Sequence, residues 1–245
     1  MIIIPDIHGR DFWEKPVREN LGKEHIIFLG DYLDPYEDED IAPWEVFPRF
    51  ENILALKEEN PERVTLLLGN HDLHYLDGNL GGSRYDFLHG ARNKKAILDH
   101  LNLFQMAYET EIAGKKYLFS HAGVMQGWLE ANRLLLGTIQ PEEVCEKLNG
   151  FLQDRETWPR FFTALGDVSH ARWGSCAYGS MIWSDVGDWD DKSFELPDIY
   201  QIFGHSQRET GPVIGEHFAC LDCHKAFRLT ESGIIEVADN LKIYG

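Results

Sequence analysis

The chain opens with MIIIPDIHGR, residues 1–10, in which a short apolar run ends at Asp6 and His8. In an extended backbone, side chains two positions apart point to the same side, so these two residues could bind one metal ion together. An isolated Asp-x-His pair is more often an ordinary turn after a buried strand. The remainder of the chain has to decide between these two interpretations.

The local pattern of residues 1–10 recurs along the chain: an apolar run ends abruptly at a turn residue, and polar residues follow. The runs are MIII before PDIHG, HIIFLG before DYLD, RVTLLLG before NHD, KYLFS before HAG, and IYQIFG before HS. Short continuous apolar runs predict strands that are buried on both faces. Helical patterns over residues 11–21 and 43–60 separate the first three runs. We therefore predict right-handed crossovers and a parallel sheet whose strand ends open on one edge.

The later part of the chain departs from this rhythm. A helical pattern covers residues 91–104, and AYETEI with KKYLFS predicts a hairpin whose second strand leads to His121. Residues 126–198 contain helical segments and a Trp-rich stretch, which predict an insert over the site. The tail segments HFACLDC, KAFRLT and IIEVAD predict antiparallel strands. We expect a single domain over residues 1–245 with the helical, Trp-rich insert at about 126–198.

Length and composition exclude several classes of protein. The 245 residues, of which 43% are hydrophobic, suffice for one substantial core. No stretch approaches the roughly eighteen apolar residues that span a bilayer, and no basic leader of a secretory signal is visible, so we expect a cytoplasmic protein with no membrane partner. The formal net charge of -18 makes duplex nucleic acid an unlikely partner, because proteins that bind it rely on Lys and Arg.

Polar residues at the predicted strand ends form a candidate metal site. They are Asp6, His8, Asp31, Asp34, Asn70, His71, Asp72, His121 and His205. Imidazole nitrogens with carboxylate and amide oxygens are ligands typical of Mn, Fe, Zn or Ni. The set exceeds the needs of one ion, whereas two ions about 3.5 to 4 Å apart and bridged by a carboxylate would use it. Such a pair of ions serves in-line displacement at phosphorus.

These motifs carry a resemblance to a known family. PDIHG, GDYLD, GNHD, SHAG and GHS resemble, in the same order, the GDxHG, GDxxD, GNH(D/E), H and GH pattern of the calcineurin-like metallophosphoesterases. The later IWSDV resembles a short segment of the phosphoprotein phosphatase branch of that superfamily. The resemblance implies an α/β fold, a four-layer αββα sandwich of two mixed β-sheets flanked by helices. It also implies a dinuclear site of two divalent metal ions at the strand ends.

The resemblance assigns roles to individual residues. The implied metal ligands are Asp6, His8, Asp31, Asn70, His121 and His205. Asp6 and His8 would hold the first ion, and Asp31 would bridge both ions. His71 would protonate the leaving oxygen, and Asp34 would orient His71 and support its protonated form. The implied activity is hydrolysis of a phosphoester by a metal-activated bridging hydroxide, as in a phosphatase or phosphodiesterase.

Two positions depart from the family pattern. Pro35 stands where the phosphoprotein phosphatase branch has an arginine that grips the substrate phosphate. The possible replacements are Arg10, Arg84, Arg172 and Arg208, and we favour Arg84 and Arg10 for substrate binding. Many members also carry a second histidine two residues after the GH pair. Gln207 occupies that position here, so the first ion would gain a water or a poor amide ligand.

The segment CLDCH, residues 220–224, matches the C-x-x-C-H pattern of haem attachment. It lies within a predicted β-rich tail of a chain with no export signal, which argues against covalent haem. With His217 nearby, a separate zinc site is an alternative. We favour buried structural cysteines, in keeping with the reduced thiols expected of the chain.

Two function classes remain open at this stage. The leading one is an enzyme acting on a phosphorylated small molecule, a nucleotide or a phosphoprotein. A phosphoprotein phosphatase, a dinucleoside polyphosphate hydrolase and a cyclic-nucleotide phosphodiesterase all fit, and the missing arginine argues mildly against the first. The alternative is a catalytically inactive scaffold with the same fold that binds a partner protein. A scaffold should have lost ligands, whereas all six are present here.

Overall fold

The computed structural model describes residues 1–81, 83–189, 196–233 and 235–238. Its strands are β1 (Ile2–Ile4), β2 (Ile26–Phe28), β3 (Val64–Leu67), β4 (Phe104–Gln105), β5 (Ala107–Ile112), β6 (Lys115–Ser120), β7 (Ile199–Phe203), β8 (Val213–Ile214), β9 (Phe218–Cys220), β10 (Phe227–Leu229) and β11 (Ile235–Val237). Its α-helices are α1 (Glu14–Asn20), α2 (Pro43–Glu59), α3 (Asn70–Leu73), α4 (Gly90–Asp99), α5 (Gln126–Ala131), α6 (Arg133–Leu136), α7 (Val144–Gln153) and α8 (Trp158–Leu165). Short 3-10 helices span Gly78–Leu80, Leu101–Leu103, Pro141–Glu143, His170–Arg172 and Val186–Asp188.

The strands form two mixed sheets. Within the described residues, the first sheet has the order β11-β10-β1-β2-β3-β4 and the second has the order β5-β6-β7-β9-β8. Strands β1 to β4 run parallel, with Ile2 opposite Ile26 and Ile26 opposite Val64. The expected parallel start of the fold and its two mixed sheets are confirmed.

The two sheets pack face to face. Ile3, Ile27 and Leu67 of the first sheet belong to one buried cluster with Phe119 and Ile202 of the second. These positions alternate along each strand with residues that face outward, as a strand buried on both faces requires. The hydrophobic core of the sandwich lies between the sheets.

Helices cover the outer faces of both sheets. On the first sheet, the Trp13 ring lies 5.6 Å from Phe28, and the Phe50 ring of α2 lies 6.4 Å from Phe104. On the second sheet, Asn149 of α7 donates from Nδ2 to the Ala107 carbonyl of β5 at 2.9 Å. The four-layer αββα arrangement expected from the resemblance is therefore present.

Some element bounds and one strand direction differ from the sequence-based expectation. The helix expected over 91–104 ends at Asp99, and Phe104 begins β4, a two-residue strand too short to show a sequence pattern. The expectation of an antiparallel tail is wrong for β9, which runs parallel to β7 with Phe203 opposite Cys220. The reason is that β8 lies between β7 and β9 in sequence and itself pairs antiparallel with β9. Strands β10 and β11 are antiparallel as predicted.

The region predicted as an insert is largely helical, with α5 to α8 followed by an irregular stretch. Trp128 is fully buried, and its indole Nε1 donates to the Ala164 carbonyl at 3.0 Å, which ties α5 to α8. Residues 190–195 of the predicted insert and 239–245 of the predicted domain lie outside the described residues. A single domain over residues 1–245 stays a prediction. No helix in the described ranges is long and apolar enough to cross a membrane.

Candidate metal centre

The polar motifs all lie at the carboxyl ends of strands, on one edge of the sandwich. Asp6 follows β1, Asp31 follows β2, His121 follows β6 and His205 follows β7. One potential ligand atom from each of these four residues lies within 4.8 Å of the other three, and all four residues are buried. Groups that are up to 199 positions apart in sequence therefore meet at one point.

The turns after the strands have an unusual backbone. His8, Asp31, Asp34 and His205 have positive φ angles of 45°, 53°, 60° and 66°. Residues other than glycine seldom adopt this left-handed conformation, and it concentrates at functional sites. The sharp turns direct the side chains back over the strand ends.

Two glycines leave room for the carboxylates. A Cβ atom at Gly69 would lie 2.1 Å from Asp31 Oδ1, and one at Gly204 would lie 2.1 Å from Asp6 Oδ1. The backbone amide of His205 donates to both oxygens of Asp6, at 2.9 and 3.1 Å. The glycines that precede Asn70 and His205 are therefore required by the close approach of the neighbouring carboxylate.

The imidazoles present their second nitrogens to the cluster. His8 Nδ1 lies 3.0 Å from the Leu33 carbonyl and His121 Nδ1 lies 2.9 Å from the Leu29 carbonyl, which places the proton on Nδ1 in each ring. The free Nε2 atoms then face Asp31 Oδ2, at 3.5 Å from His8 and 3.4 Å from His121. Asp31 thus lies between the two histidines.

The second half of the cluster is equally close. His121 Nε2 lies 3.0 Å from Asn70 Oδ1 and 3.1 Å from His205 Nδ1. With the His121 proton on Nδ1, its Nε2 lone pair faces Asn70 Oδ1, another acceptor, in a buried site. Imidazole nitrogens and an amide oxygen are ligands of divalent metal ions, so these residues fit such an ion by their donor chemistry.

The directions in which burial shifts the pKa values of these residues agree with this interpretation. Burial raises the pKa of Asp31 well above its usual value, and the negative charge of Asp6 raises it further. Burial lowers the pKa of His8 and His205 well below the usual range. Neutral imidazole is the form that binds a metal ion, and a bound cation is what would keep Asp31 ionised.

A second group of side chains surrounds Asp34. Its Oδ2 atom lies 3.0 Å from His71 Nδ1 and 2.7 Å from His74 Nε2, and its Oδ1 atom accepts a hydrogen bond from the Tyr75 hydroxyl. Burial raises the pKa of Asp34, but the hydrogen bonds from these three side chains outweigh burial and lower it overall. Burial lowers the pKa of His71 to about 4.

A cavity of about 140 Å³ opens over both groups. It is lined by His8, Asp31, Tyr36, Asn70, His71, Ser83, Arg84, Arg172, Trp183 and His205. Arg84 Nη1 donates to the Asp34 carbonyl at 2.7 Å, and Nη2 lies 3.0 Å from His71 Nε2. Because a guanidinium only donates, His71 Nε2 accepts, and its proton lies on Nδ1 facing Asp34. The cavity places two arginines beside the cluster.

A family model agrees with this arrangement. The model of the calcineurin-like phosphoesterases matches residues 1–208, a range that contains every strand-end motif of the cluster. The chain belongs to the calcineurin-like phosphoesterase family.

An individual relative is similar to part of this chain. A symmetrical bis(5'-nucleosyl)-tetraphosphatase from Paracidovorax citrulli is 31% identical over 145 residues, which cover 57% of this chain and 49% of that protein. The match therefore spans about half the length of that relative.

Comparison with solved structures gives one match that supports the fold. A protein serine/threonine phosphatase from Saccharomyces cerevisiae, with similarity to human phosphatase PP5, has a TM-score of 0.53 at 12% identity, covering 98% of this chain and 80% of that chain. The phosphatase domain of the Legionella effector WipB has a TM-score of 0.42 at 15% identity, covering 75% and 72%. The yeast structure supports the phosphoesterase fold described above.

The structure separates the two arginines favoured from sequence. Arg84 lines the cavity, with its guanidinium carbon 3.6 Å above the Tyr36 ring. Arg10 instead pairs with Glu39, with Nε and Nη2 2.7 to 3.0 Å from its oxygens, and lines a neighbouring cleft. Arg172, which sequence analysis ranked lower, lines the cavity and donates to the His205 carbonyl at 2.9 Å.

The positions set apart by the C-x-x-C-H pattern do not form a metal cluster within the part of the chain that the structure describes. Cys220 is buried and Cys223 half-buried, and both are free thiols. His217 is half exposed, and its neighbour is Glu216. This agrees with the structural interpretation of Cys220.

Three residues of the site were missed or misjudged from sequence. His74 and Tyr75 are not among the candidate residues named from the sequence, yet both contact Asp34. Their signal was spacing, because residues 71, 74 and 75 lie three and four positions apart in α3 and the turn that follows it. Asp72 is not part of the four-residue cluster, and its carboxylate accepts hydrogen bonds from the backbone amides of Asp31, Tyr32 and Gly69 at 2.8 to 3.0 Å. It holds the turns after β2 and β3 together.

Proposed function

We propose that the protein is a metal-dependent phosphoesterase that hydrolyses a phosphoester at a dinuclear site. The observation that supports this most strongly is that four buried residues bring potential ligand atoms within 4.8 Å of one another. They are Asp6, Asp31, His121 and His205. Two divalent ions held there would supply a nucleophilic hydroxide at neutral pH and positive charge for the phosphoryl oxygens. The ligand set that we propose is Asp6, His8, Asp31, Asn70, His121 and His205.

Asp31 is the proposed bridging ligand. Its Oδ2 atom lies at similar distances from the Nε2 atoms of His8 and His121, 3.5 and 3.4 Å, and these two histidines belong to opposite halves of the site. Its Oδ1 atom accepts the backbone amide of His71 at 2.8 Å, which fixes the orientation of the carboxylate. A carboxylate held in this way can be shared by two ions.

His71 is the proposed general acid, and Asp34 is its orienting partner. The Nδ1 proton of His71 is held by Asp34, so Nε2 is the atom directed into the cavity. Protonation of His71 would place a second proton on Nε2, and donation of that proton would stabilise the departing oxygen of the substrate. The carboxylate of Asp34 would support the charge of His71 in its protonated form.

Arg84 is the proposed contact to the substrate phosphate. It would replace the arginine that the phosphoprotein phosphatase branch has at the position of Pro35. The Tyr36 ring supports the guanidinium plane, and the Asp34 carbonyl holds Nη1. A guanidinium fixed in this way presents paired donors to phosphate oxygens. Arg10 is engaged by Glu39, which favours Arg84 over Arg10 for this role.

The substrate class that we propose is a phosphorylated small molecule of the nucleotide type. The support is the relative named as a symmetrical bis(5'-nucleosyl)-tetraphosphatase and the small cavity. Phosphopeptides and phosphodiesters are the competing classes.

Metal analysis combined with turnover tests the proposal. Protein stripped with chelator would be reconstituted with Mn, Fe, Zn or Ni, and bound metal and hydrolysis of an aryl phosphate would be measured. We expect two ions per chain and metal-dependent turnover, and a panel of nucleotides, phosphopeptides and phosphodiesters would rank the substrates. A protein that binds two ions but hydrolyses none of these would favour the scaffold alternative, and one that binds no metal would refute the site.

A further inference from the structure

A sixth strand end delivers another carboxylate to the same edge. Strand β9 runs parallel to β7, with Cys220 opposite Phe203, so both strands end on the side where His205 lies. The Leu221 amide donates to the Phe203 carbonyl at 2.8 Å, and the Asp222 carbonyl accepts from the Arg208 amide at 2.8 Å. Asp222 therefore lies beside the segment that carries His205.

The side chain of Asp222 is buried with one carboxylate oxygen unpaired among the described residues. The residue is 3% exposed, and its Oδ1 atom has no hydrogen-bond partner among the described residues. The charges that act most strongly on the carboxyl are those of Asp6 and then Arg10 and Asp31. Arg10 is already paired with Glu39. A buried carboxylate is unfavourable unless it is paired or bound to a cation. A metal ion would supply the partner that Asp222 Oδ1 lacks.

The two halves of the proposed metal site are unequal in ligands. The second ion would have Asn70, His121 and His205 in addition to the shared Asp31, whereas the first would have Asp6 and His8 with Asp31. Gln207 does not make up the difference. Its side chain is exposed, and its Nε2 atom lies 2.8 Å from His224 Nε2.

We propose that Asp222 belongs to the site of the first ion, where its carboxylate stabilises the cation next to Asp6. The inference rests on the proposed dinuclear site. With Asp222 ionised, the charge of Asp6, Asp31 and Asp222 is -3 against +4 for two divalent ions. Without metal, the three carboxylates repel one another.

The test is a titration of chelator-stripped protein with Mn²⁺, in which isothermal titration calorimetry measures the binding of each ion. Wild-type protein should bind two ions, and Asp222→Asn should weaken one of the two by about ten- to a hundredfold and leave the other nearly unchanged. Glu216→Gln is the matched control, because it removes the same charge from an exposed position near the start of β9. This control should bind both ions as the wild type does.

Thermal unfolding in chelator separates a metal role from a structural one. Asp222→Asn should leave the melting temperature of the metal-free protein unchanged or raise it, since it removes repulsion from Asp6 and Asp31. Asp222→Ala should behave in the same way. Unchanged Mn²⁺ affinity in both variants, or metal-free forms that are less stable or fail to fold, would overturn the role of Asp222. Wild-type protein that binds no Mn²⁺ would overturn the proposed function as well.

Discussion

Two buried groups of the same residue types lie side by side in this protein and are built differently. In the cluster of Asp6, Asp31, His121 and His205, a ring proton of His121 is held on the outside by a main-chain carbonyl, so lone pairs face inward. In the group around Asp34, the ring nitrogens of His71 and His74 and the Tyr75 hydroxyl converge on one carboxylate. The first group directs potential metal-ligand atoms inward, whereas the second directs side-chain donors towards one carboxylate.

The difference teaches that spacing of Asp and His does not by itself define a metal site. Asp34, His71 and His74 also bring potential ligand atoms within 4.8 Å of one another. Their hydrogen bonds lower the pKa of Asp34, whereas burial and Asp6 raise the pKa of Asp31. The neighbours of a carboxylate decide whether it supports a protonated histidine or requires a cation.

The largest effect on turnover should come from a substitution in the cluster of Asp6, Asp31, His121 and His205. Asp31→Asn removes the proposed shared ligand, and turnover of an aryl phosphate should fall by about a thousandfold or more. Metal content should fall below two ions per chain. Asp99→Asn, at an exposed position paired with Lys95, is the control. Full metal content with near-normal turnover in Asp31→Asn would contradict the bridging role.

A substitution in the group around Asp34 should have a different effect. His71→Ala should lower turnover by about 100- to 10,000-fold while two ions remain bound. The loss should be greater for an alkyl phosphate than for an aryl phosphate with a good leaving group, because the alkoxide needs the proton more. A His71→Ala variant that loses metal would place His71 in the metal cluster instead. His100→Ala, at the end of α4, serves as a control.

The two arginines favoured from sequence give a smaller contrast. Arg84→Ala should raise KM for an aryl phosphate by about ten- to a hundredfold, the value of a charged hydrogen bond to phosphate. Arg10→Ala should change KM much less, because Glu39 occupies its guanidinium. Steady-state kinetics with inorganic phosphate as competitor measures both. Equal effects of the two substitutions would remove the distinction between them.

The smallest effects concern stability without metal, and they have opposite signs. The pKa of Asp31 is raised by burial, so its ionised form destabilises the metal-free fold as pH rises above about 3.9. The pKa of Asp34 is lowered, so its ionised form stabilises the fold above about 3.9, and this stability is lost as pH falls through the lower folded value.

At pH 7 in chelator, Asp31→Asn should therefore raise the melting temperature and Asp34→Asn should lower it. The loss for Asp34→Asn should be about 1 to 3 kcal/mol, or a few degrees. Differential scanning calorimetry measures both shifts. A shift of the same sign in the two variants would show that the groups are not built differently.

Much of the fold was readable because its strands are short apolar runs that each end in a polar turn. β1, β2, β3, β6 and β7 appear in the sequence in this form, and the parallel edge follows from the helices between the first three. The two-residue β4 carries no such pattern. The direction of β9 depends on β8, which is also two residues long, and tertiary pairing rather than local sequence decides it.

The site was readable only in part for a related reason. The predicted positions Asp6, Asp31, His121 and His205 converge because each follows a strand. Which arginine enters the cavity depends on a competing partner, Glu39, that lies 29 positions from Arg10. Long-range pairing of this kind has no signature in a single sequence.

The close packing at Gly69 and Gly204 has a consequence for mutational tolerance. Neither glycine carries a functional group, yet one methyl group at either would fall within 2.1 Å of a carboxylate oxygen. A saturation scan should therefore score both positions as intolerant, even to alanine. Loss of the proposed activity would then need no lost ligand, because a single extra carbon atom suffices.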